Sequence, residues 1–188
     1  NLISLGLLTR EFPVLSTEKE KQNMQRGVYK LHDLFFRFWY RFVFSNYSAL
    51  EFGDWENIYD VIVEPQLNNY VSFPFEDICI EWLRSKNKKR ELPFIFTDIG
   101  RWWSKDIEID IIATNEDKSE ILSAECKFHN SFINDSDLQK HLNKNIRSLK
   151  KKDNAVLHVW YFSWSGYTPE AREFAKKNNI TLIDENDF

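Results

Sequence analysis

Apolar and polar residues recur along this chain with two different periods, and the elements change where the period changes. The sharpest case lies within residues 94–129. Ile107, Ile109 and Ile111 alternate with Glu108 and Asp110, a period of two that predicts a strand with both carboxylates on one face. A polar stretch over 115–119 predicts a turn. Glu125, Cys126 and Lys127 then fall on a further strand, with Glu125 and Lys127 sharing a face. Three short strands in series are expected, the last two as a hairpin that brings a carboxylate from each strand and one lysine to the sheet edge. The run AVLHVWYFSW over 155–164 is continuously apolar, as in a strand covered on both faces. Thr168 followed by Pro169 predicts a helix start, a helix to Lys177 and a final strand over 180–183.

Helical spacing fills the intervals. Residues 73–86 predict a helix carrying Glu76, with Ile78, Trp82 and Leu83 on its inner side. Residues 136–152 predict another, with Asp135 and Ser136 as caps. From residue 73 onward the order is therefore α-β-β-β-α-β-α-β, an α/β core. Upstream, residues 34–44 are apolar on almost every side, with Arg37 and Arg41 four apart, and predict a buried structural helix. Residues 45–70 predict linker helices, with Asp54 as a cap and a kink or break at Pro65. Leu2, Ile3, Leu5, Leu7 and Leu8 read as a helix end at Gly6, followed by two strands around a charged tip over 16–26. That is a partial winged-helix hairpin. The expected division is 1–31, 32–70 and 71–188. The tip carries Lys19, Lys21 and Arg26 but also Glu18 and Glu20, so it reads either as a DNA-touching wing or as a connector.

Composition narrows the function classes. A net charge of -4 excludes a basic field over the whole molecule, so any DNA contact must rest on local patches. Cys79 and Cys126 are the two cysteines, too few for a disulfide framework or a zinc cluster and in keeping with a cytoplasmic location. No apolar run reaches the roughly twenty residues of a membrane helix, and no signal peptide opens the chain. The chain begins mid-pattern at Asn1, which predicts a fragment of a longer protein. Without a glycine-rich phosphate loop, no ATP site is expected within it.

The candidate chemistry follows from the hairpin. Two carboxylates such as Asp110 and Glu125 suit a hard ion, Mg²⁺ or Mn²⁺, and an adjacent ammonium, Lys127, suits a developing phosphoryl charge. Arg101, next to Trp102 and Trp103, offers a backbone contact, although paired tryptophans at a strand end more often cap a core. Lys140, Lys144, Arg147 and Lys151 recur at helical spacing as a basic stripe, a DNA footprint or a solvated face. Lys105 is expected to be solvated, and Lys150 and Lys152 extend the charge of that helix. Glu108 and His129 are accessory candidates.

Asp110 and Glu125-x-Lys127 behind EIDIIA resemble the PD-(D/E)xK superfamily, especially its restriction-like branch, which cuts DNA with Mg²⁺. Glu76 in FPFEDICIEWLRS is similar to the acidic residue that the superfamily carries on the preceding helix. The ordered set YKLHDLFFRFWY, Phe75-Glu76, IGRWW, Glu108-Ile109-Asp110 and Glu125-Cys126-Lys127 further resembles a domain of unknown function that closes the chains of archaeal-type ATPases. The resemblance implies a restriction-endonuclease-like core, with Asp110, Glu125 and Glu76 as metal ligands and Lys127 as a further catalytic residue. It also implies DNA as partner and an ATPase domain in the full-length chain. Gln139 is followed at the spacing of the RecB-like Gln-x-x-x-Tyr element by Asn143, so that element is not reproduced. Two functions stay open: a metal-dependent DNA nuclease, or an inactive nuclease-fold module for regulation, DNA binding or partner binding.

Overall fold

The computed structural model describes residues 2–22, 27–104, 107–149 and 155–188. The side chains of Ile146, Arg147 and Ser148 lie outside that description, as do Arg26, Lys105, Lys150, Lys151 and Lys152 entirely. The chain divides into two compact units, Asn1–Phe12 with Ser16–Pro74, and Pro13–Leu15 with Phe75–Phe188.

In the first unit, Gly6 takes a left-handed backbone (φ 71°). Its N–H donates to the Ile3 carbonyl at 2.9 Å, and the Leu7 N–H donates to the Leu2 carbonyl at 3.0 Å. This is the hydrogen-bond pair of a Schellman helix end, although residues 2–6 themselves form turns rather than a helix. Strand β1 (Leu8–Glu11) pairs antiparallel with β2 (Val28–Leu31), Leu8 facing Leu31. The charged tip contains a short helix, α1 (Glu18–Gln22), where only a polar tip was expected. Its start is a capping box: the Thr17 hydroxyl accepts from the Glu20 N–H, and the Glu20 carboxylate accepts from the Thr17 N–H at 2.9 Å.

The aromatic run does not form one buried helix. It opens as α2 (Leu34–Phe38), capped by Asp33, then widens into a π-helical turn (Trp39–Val43) and tightens into a 3₁₀ turn (Phe44–Asn46). Two short helices follow, α3 (Tyr47–Glu51) and α4 (Trp55–Ile58), before a second π turn (Tyr59–Val63). Phe42, Ile58 and Val63 form a small core with Phe38 and Tyr70 against it. Phe35, Phe36, Tyr40, Phe44, Phe52 and Trp55 are exposed, so the expected burial is corrected. An apolar helix surface all round exceeds what one small core can cover.

Helix α5 (Glu64–Lys89) begins beside Pro65 and contains Pro74. The chain does not break at Pro65: the π turn Tyr59–Val63 runs directly into α5 through Glu64, which keeps a right-handed helical backbone. In the second unit its inner face is Phe75, Cys79 and Leu83, spaced by four, with Ile80. Ile78 is exposed because it lies off that stripe, which corrects its expected inward position.

A five-stranded sheet has the order β3 (Asp98–Ser104), β4 (Ile107–Thr114), β5 (Glu120–Lys127), β6 (Val156–Ser163), β7 (Ile180–Ile183). The first three strands are antiparallel, and β5–β6 and β6–β7 are parallel. Helix α6 (Asp135–Leu149) joins β5 to β6, and α7 (Pro169–Asn178) joins β6 to β7. Among the described residues the unit reads α-β-β-β-α-β-α-β, a mixed α/β core with the element order of a restriction-endonuclease-like fold.

One face of the sheet (Ile111, Ala113, Leu122, Ala124, Trp160, Phe162) packs on α5. The other packs Val159 and Tyr161 against Leu138 of α6 and Ala171 and Ala175 of α7. Pro13–Leu15 belongs to this unit, and the Val14 N–H donates to the Arg101 carbonyl at 2.9 Å, partly covering an edge strand. Thr168 caps α7 by accepting from the Ala171 N–H at 3.2 Å. The cap near α6 is Asn134, which accepts from the Asp137 N–H at 3.1 Å, rather than Asp135 or Ser136.

Candidate active site

The hairpin of β4 and β5 turns at 115–119, where Lys118 takes a positive φ of 61° and the Asn115 and Asp117 side chains bond Ser119. Ile111 pairs with Ala124, so Asp110 comes opposite Glu125 one step beyond the last paired position.

The strict alternation expected for β4 fails at this point. Against β3, the register shifts between Gly100 and Trp102, because Gly100 pairs with Ile112 while Trp102 pairs with Ile109. The extra residue in β4 is a bulge. Ile109 accordingly packs with Ile112, Ile121 and Leu149, whereas Ile111 packs against α5. Glu108 and Asp110 are thus not two steps along one regular face. With the ladder interrupted, Asp110 Oδ2 accepts the Cys126 backbone N–H at 2.8 Å, taking the role that a strand carbonyl has elsewhere.

Glu125 is 8% exposed and is the most heavily engaged carboxylate here. Lys127 Nζ lies 2.8 Å from its Oε1, Lys144 Nζ bonds its Oε2, and His141 Nδ1 lies 3.3 Å from Oε2. Burial alone would raise its pKa, but His141, Lys127 and Lys144 outweigh burial and hold it well below the usual carboxylate range. Asp110 moves the other way. Burial first, then the Glu125 charge, raise its pKa against the opposing Cys126 N–H, Lys127 and Lys144. Burial would lower the Lys127 pKa, yet Glu125 and Asp110 raise it above its ordinary value. Two facing carboxylates with opposite shifts are an arrangement suited to proton and cation chemistry.

Glu76 on α5 meets Arg101 of β3, whose Nε lies 2.7 Å from Glu76 Oε2, while Asp77 approaches the same guanidinium at 3.8 Å. Burial, followed by the charge of Asp110, raises the Glu76 pKa to about 7 against the pull of Arg101. Arg101 is thereby committed to α5 carboxylates, with its side chain only 11% exposed. Trp102 packs beside Ile109 and Ile112, as the core-capping alternative anticipates.

Other expected residues fall elsewhere. Lys140 is exposed and pairs with Asp137 at 3.2 Å. Lys144 turns inward to Glu125, and the Arg147 side chain and Lys151 are outside the described residues. His129 lies beyond the end of β5, exposed, with its carbonyl bonded by the Ser165 hydroxyl, so it does not share the strand face of Glu125. The histidine that reaches Glu125 is His141. It sits four residues before Asn145 on the inner face of α6 and makes a 2.9 Å contact with it. Two polar residues at core positions of one helix were the available signal.

The family comparison takes in Phe75-Glu76, IGRWW, Glu108-Ile109-Asp110 and Glu125-Cys126-Lys127 of the ordered motif set. The family model for archaeal and bacterial proteins of unknown function, DUF234, matches residues 39–146. An uncharacterized protein of Methanocaldococcus jannaschii is 32% identical over 189 residues, taking in 100% of this chain and 40% of its own length. The chain thus spans under half of that relative. Two solved structures overlap part of the chain. A protein of unknown function, AF1548, shares 22% identity over 42% of this chain and 41% of its own, with a TM-score of 0.35. A repair endonuclease from Pyrococcus abyssi shares 14% identity over 45% and 38%, with a TM-score of 0.35. Likeness at that level bears on no residue of the site. The match over residues 39–146 is more than half of the chain, and the chain belongs to the DUF234 family of archaeal and bacterial proteins of unknown function.

Proposed function

We propose that this chain is the nuclease-like part of a longer protein and hydrolyses DNA phosphodiester bonds with Mg²⁺ or Mn²⁺. The observation that carries the reading is Asp110 opposite Glu125 across the β4–β5 hairpin, beside a strand bulge, with Lys127 on Glu125 Oε1 at 2.8 Å. Among the described residues no group of three His, Cys, Asp or Glu side chains is arranged to hold an ion. A carboxylate pair still fits Mg²⁺, which takes one or two carboxylates and completes its shell with water and substrate phosphate. Asp110 and Glu125 would hold it, with the Cys126 carbonyl beside them and Glu76 acting through water. Bound there, the ion supplies Lewis acidity and lowers the pKa of its water.

The chain's own groups do the rest. Lys127, oriented by Glu125, offers its ammonium to the attacking water or a phosphate oxygen. The exposed ammonium of Lys140 contacts the DNA backbone without reading sequence, and Arg101 positions Glu76 instead of phosphate. The proposal includes an ATPase as the remainder of the longer protein and the cytoplasm as its setting. Among the described residues, no helix is long and apolar enough to cross a membrane.

A second reading has its own observation. Glu125 is already held by Lys127, Lys144 and His141, as in a nuclease-fold module whose site has become structural. The test compares the native chain with Lys127→Ala and Asp110→Asn on mixed DNA substrates with Mn²⁺ or Mg²⁺, alongside a thermal shift with each ion. Cutting that both variants lose, with an ion-dependent stabilisation abolished by Asp110→Asn, supports the nuclease. Absence of cutting and of any ion shift, in the longer protein as well, leaves the module.

A further inference from the structure

Behind Glu125 lies a buried polar chain with a direction. Ser123 and Asn145 are both 0% exposed and His141 is 3% exposed, so each hydrogen-bonding atom needs a partner within the fold. The Ser123 hydroxyl donates to Asn145 Oδ1 at 2.7 Å, which turns the amide so that Asn145 Nδ2 faces His141 Nε2 at 2.9 Å. An amide nitrogen only donates, so His141 Nε2 must carry the lone pair and Nδ1 the hydrogen. Nδ1 lies 3.3 Å from Glu125 Oε2, outside hydrogen-bond alignment, and no other described atom accepts from it.

We propose that Ser123, Asn145 and His141 form a one-way donor relay that fixes the His141 tautomer and keeps its Nδ1–H beside Glu125, making all three positioning residues for that carboxylate. The inference deepens the nuclease reading and rests on it only for its cation-binding consequence. The relay spans two elements: Ser123 and Glu125 lie on the same face of β5, two residues apart, and His141 and Asn145 lie one turn apart on α6. The two outer links therefore tie strand to helix, and the Asn145–His141 link lies within α6. Lys127 and Lys144 supply charge to Glu125, and the relay supplies orientation. Partners of this kind behind a ligating carboxylate typically alter metal affinity about ten- to a hundredfold when changed.

The relay is tested on the native protein by nitrogen-15 NMR of its histidine rings, without metal or DNA. His141 is one of 4 histidines, and its signals are assigned by their loss in His141→Asn. The expected pattern is a hydrogen on Nδ1 and a bare Nε2. Asn145→Asp, nearly isosteric, replaces the amide donor by an acceptor and should move the hydrogen to Nε2. His141→Asn keeps an N–H near the Nδ1 position, whereas His141→Leu does not. Mn²⁺ affinity should therefore fall about ten- to a hundredfold in Asn145→Asp and His141→Leu and recover in His141→Asn. A native ring with hydrogen on Nε2, alone or with Nδ1, overturns the relay whatever the affinity. The expected tautomer pattern together with a native chain that binds no Mn²⁺ upholds the relay and fails the nuclease reading. Equal Mn²⁺ affinity in all three variants overturns the positioning role.

Discussion

Glu76 should make the protein less stable as pH rises through the neutral range, and Glu76→Gln should remove that loss. Its side chain is 12% exposed and its pKa is raised from 4.5 to about 7, chiefly by burial and then by Asp110, with Arg101 opposing. Below the lower value both folded and unfolded states are protonated, and no penalty exists. Between the two values the unfolded chain ionises first, so folding is progressively disfavoured. Above the higher value the full cost of a buried, repelled charge is present. Each tenfold step in proton affinity corresponds to about 1.4 kcal/mol, so the gap amounts to about 3 kcal/mol. The attraction of Arg101 is already contained in that figure.

Glutamine cannot ionise but keeps an oxygen beside Arg101 Nε, where the carboxylate now sits at 2.7 Å. The expected result is little difference between native and variant near about pH 5, and a variant more stable by up to about 3 kcal/mol near about pH 8.5. Urea unfolding at both pH values measures it. Other groups titrate over the same range, so the quantity to read is the native-minus-variant difference at one pH compared with the other. A variant that is markedly destabilised near pH 8.5 would show that the Arg101 ion pair outweighs desolvation and repulsion, and the argument would fail.

Three further outcomes test the frame that carries the site. Leu83→Ala, at a position 0% exposed in the core between α5 and the sheet, should cost about 2–5 kcal/mol in urea unfolding, and a loss under about 1 kcal/mol would mean the cavity collapses. Thr168→Ala removes the oxygen that accepts the Ala171 N–H and should cost about 1 kcal/mol, with Thr168→Ser restoring most of it. Asn179 ends α7 with a left-handed φ of 53°, so Asn179→Val should lower the melting temperature and Asn179→Gly should not, since only the β-branched residue resists that backbone.

How much of this was legible depends on what each residue answers to. The succession of elements along the chain, the hairpin turn and the α7 cap were readable because they rest on local patterns: alternation in β4, the polar stretch at 115–119, and Thr168-Pro169. The bulge in β4 was not, since the run from Ile107 to Ile111 alternates perfectly and only pairing with β3 reveals the extra residue. That bulge matters most, because it releases Asp110 to take the Cys126 N–H. The capping box at Thr17 and Glu20 is a local signal masked by the surrounding charges.

On α6, counting charges picked out Lys140 and Lys144 as one stripe, yet the two behave differently: Lys140 pairs with its own helix and Lys144 crosses to β5. Side chains on neighbouring angles of a helix can have opposite fates when one borders the buried face. The pattern that marked that border was Leu138, His141, Asn145 and Leu149 at spacings of three and four. Two polar residues set within such a stripe must satisfy each other and something across the interface, because an unpaired polar group there costs about 1–3 kcal/mol. On this sheet the groups across the interface are Ser123 and Glu125. The helix that looked like a DNA-binding face is therefore, on its inner side, the part of the fold that holds the site's central carboxylate in place.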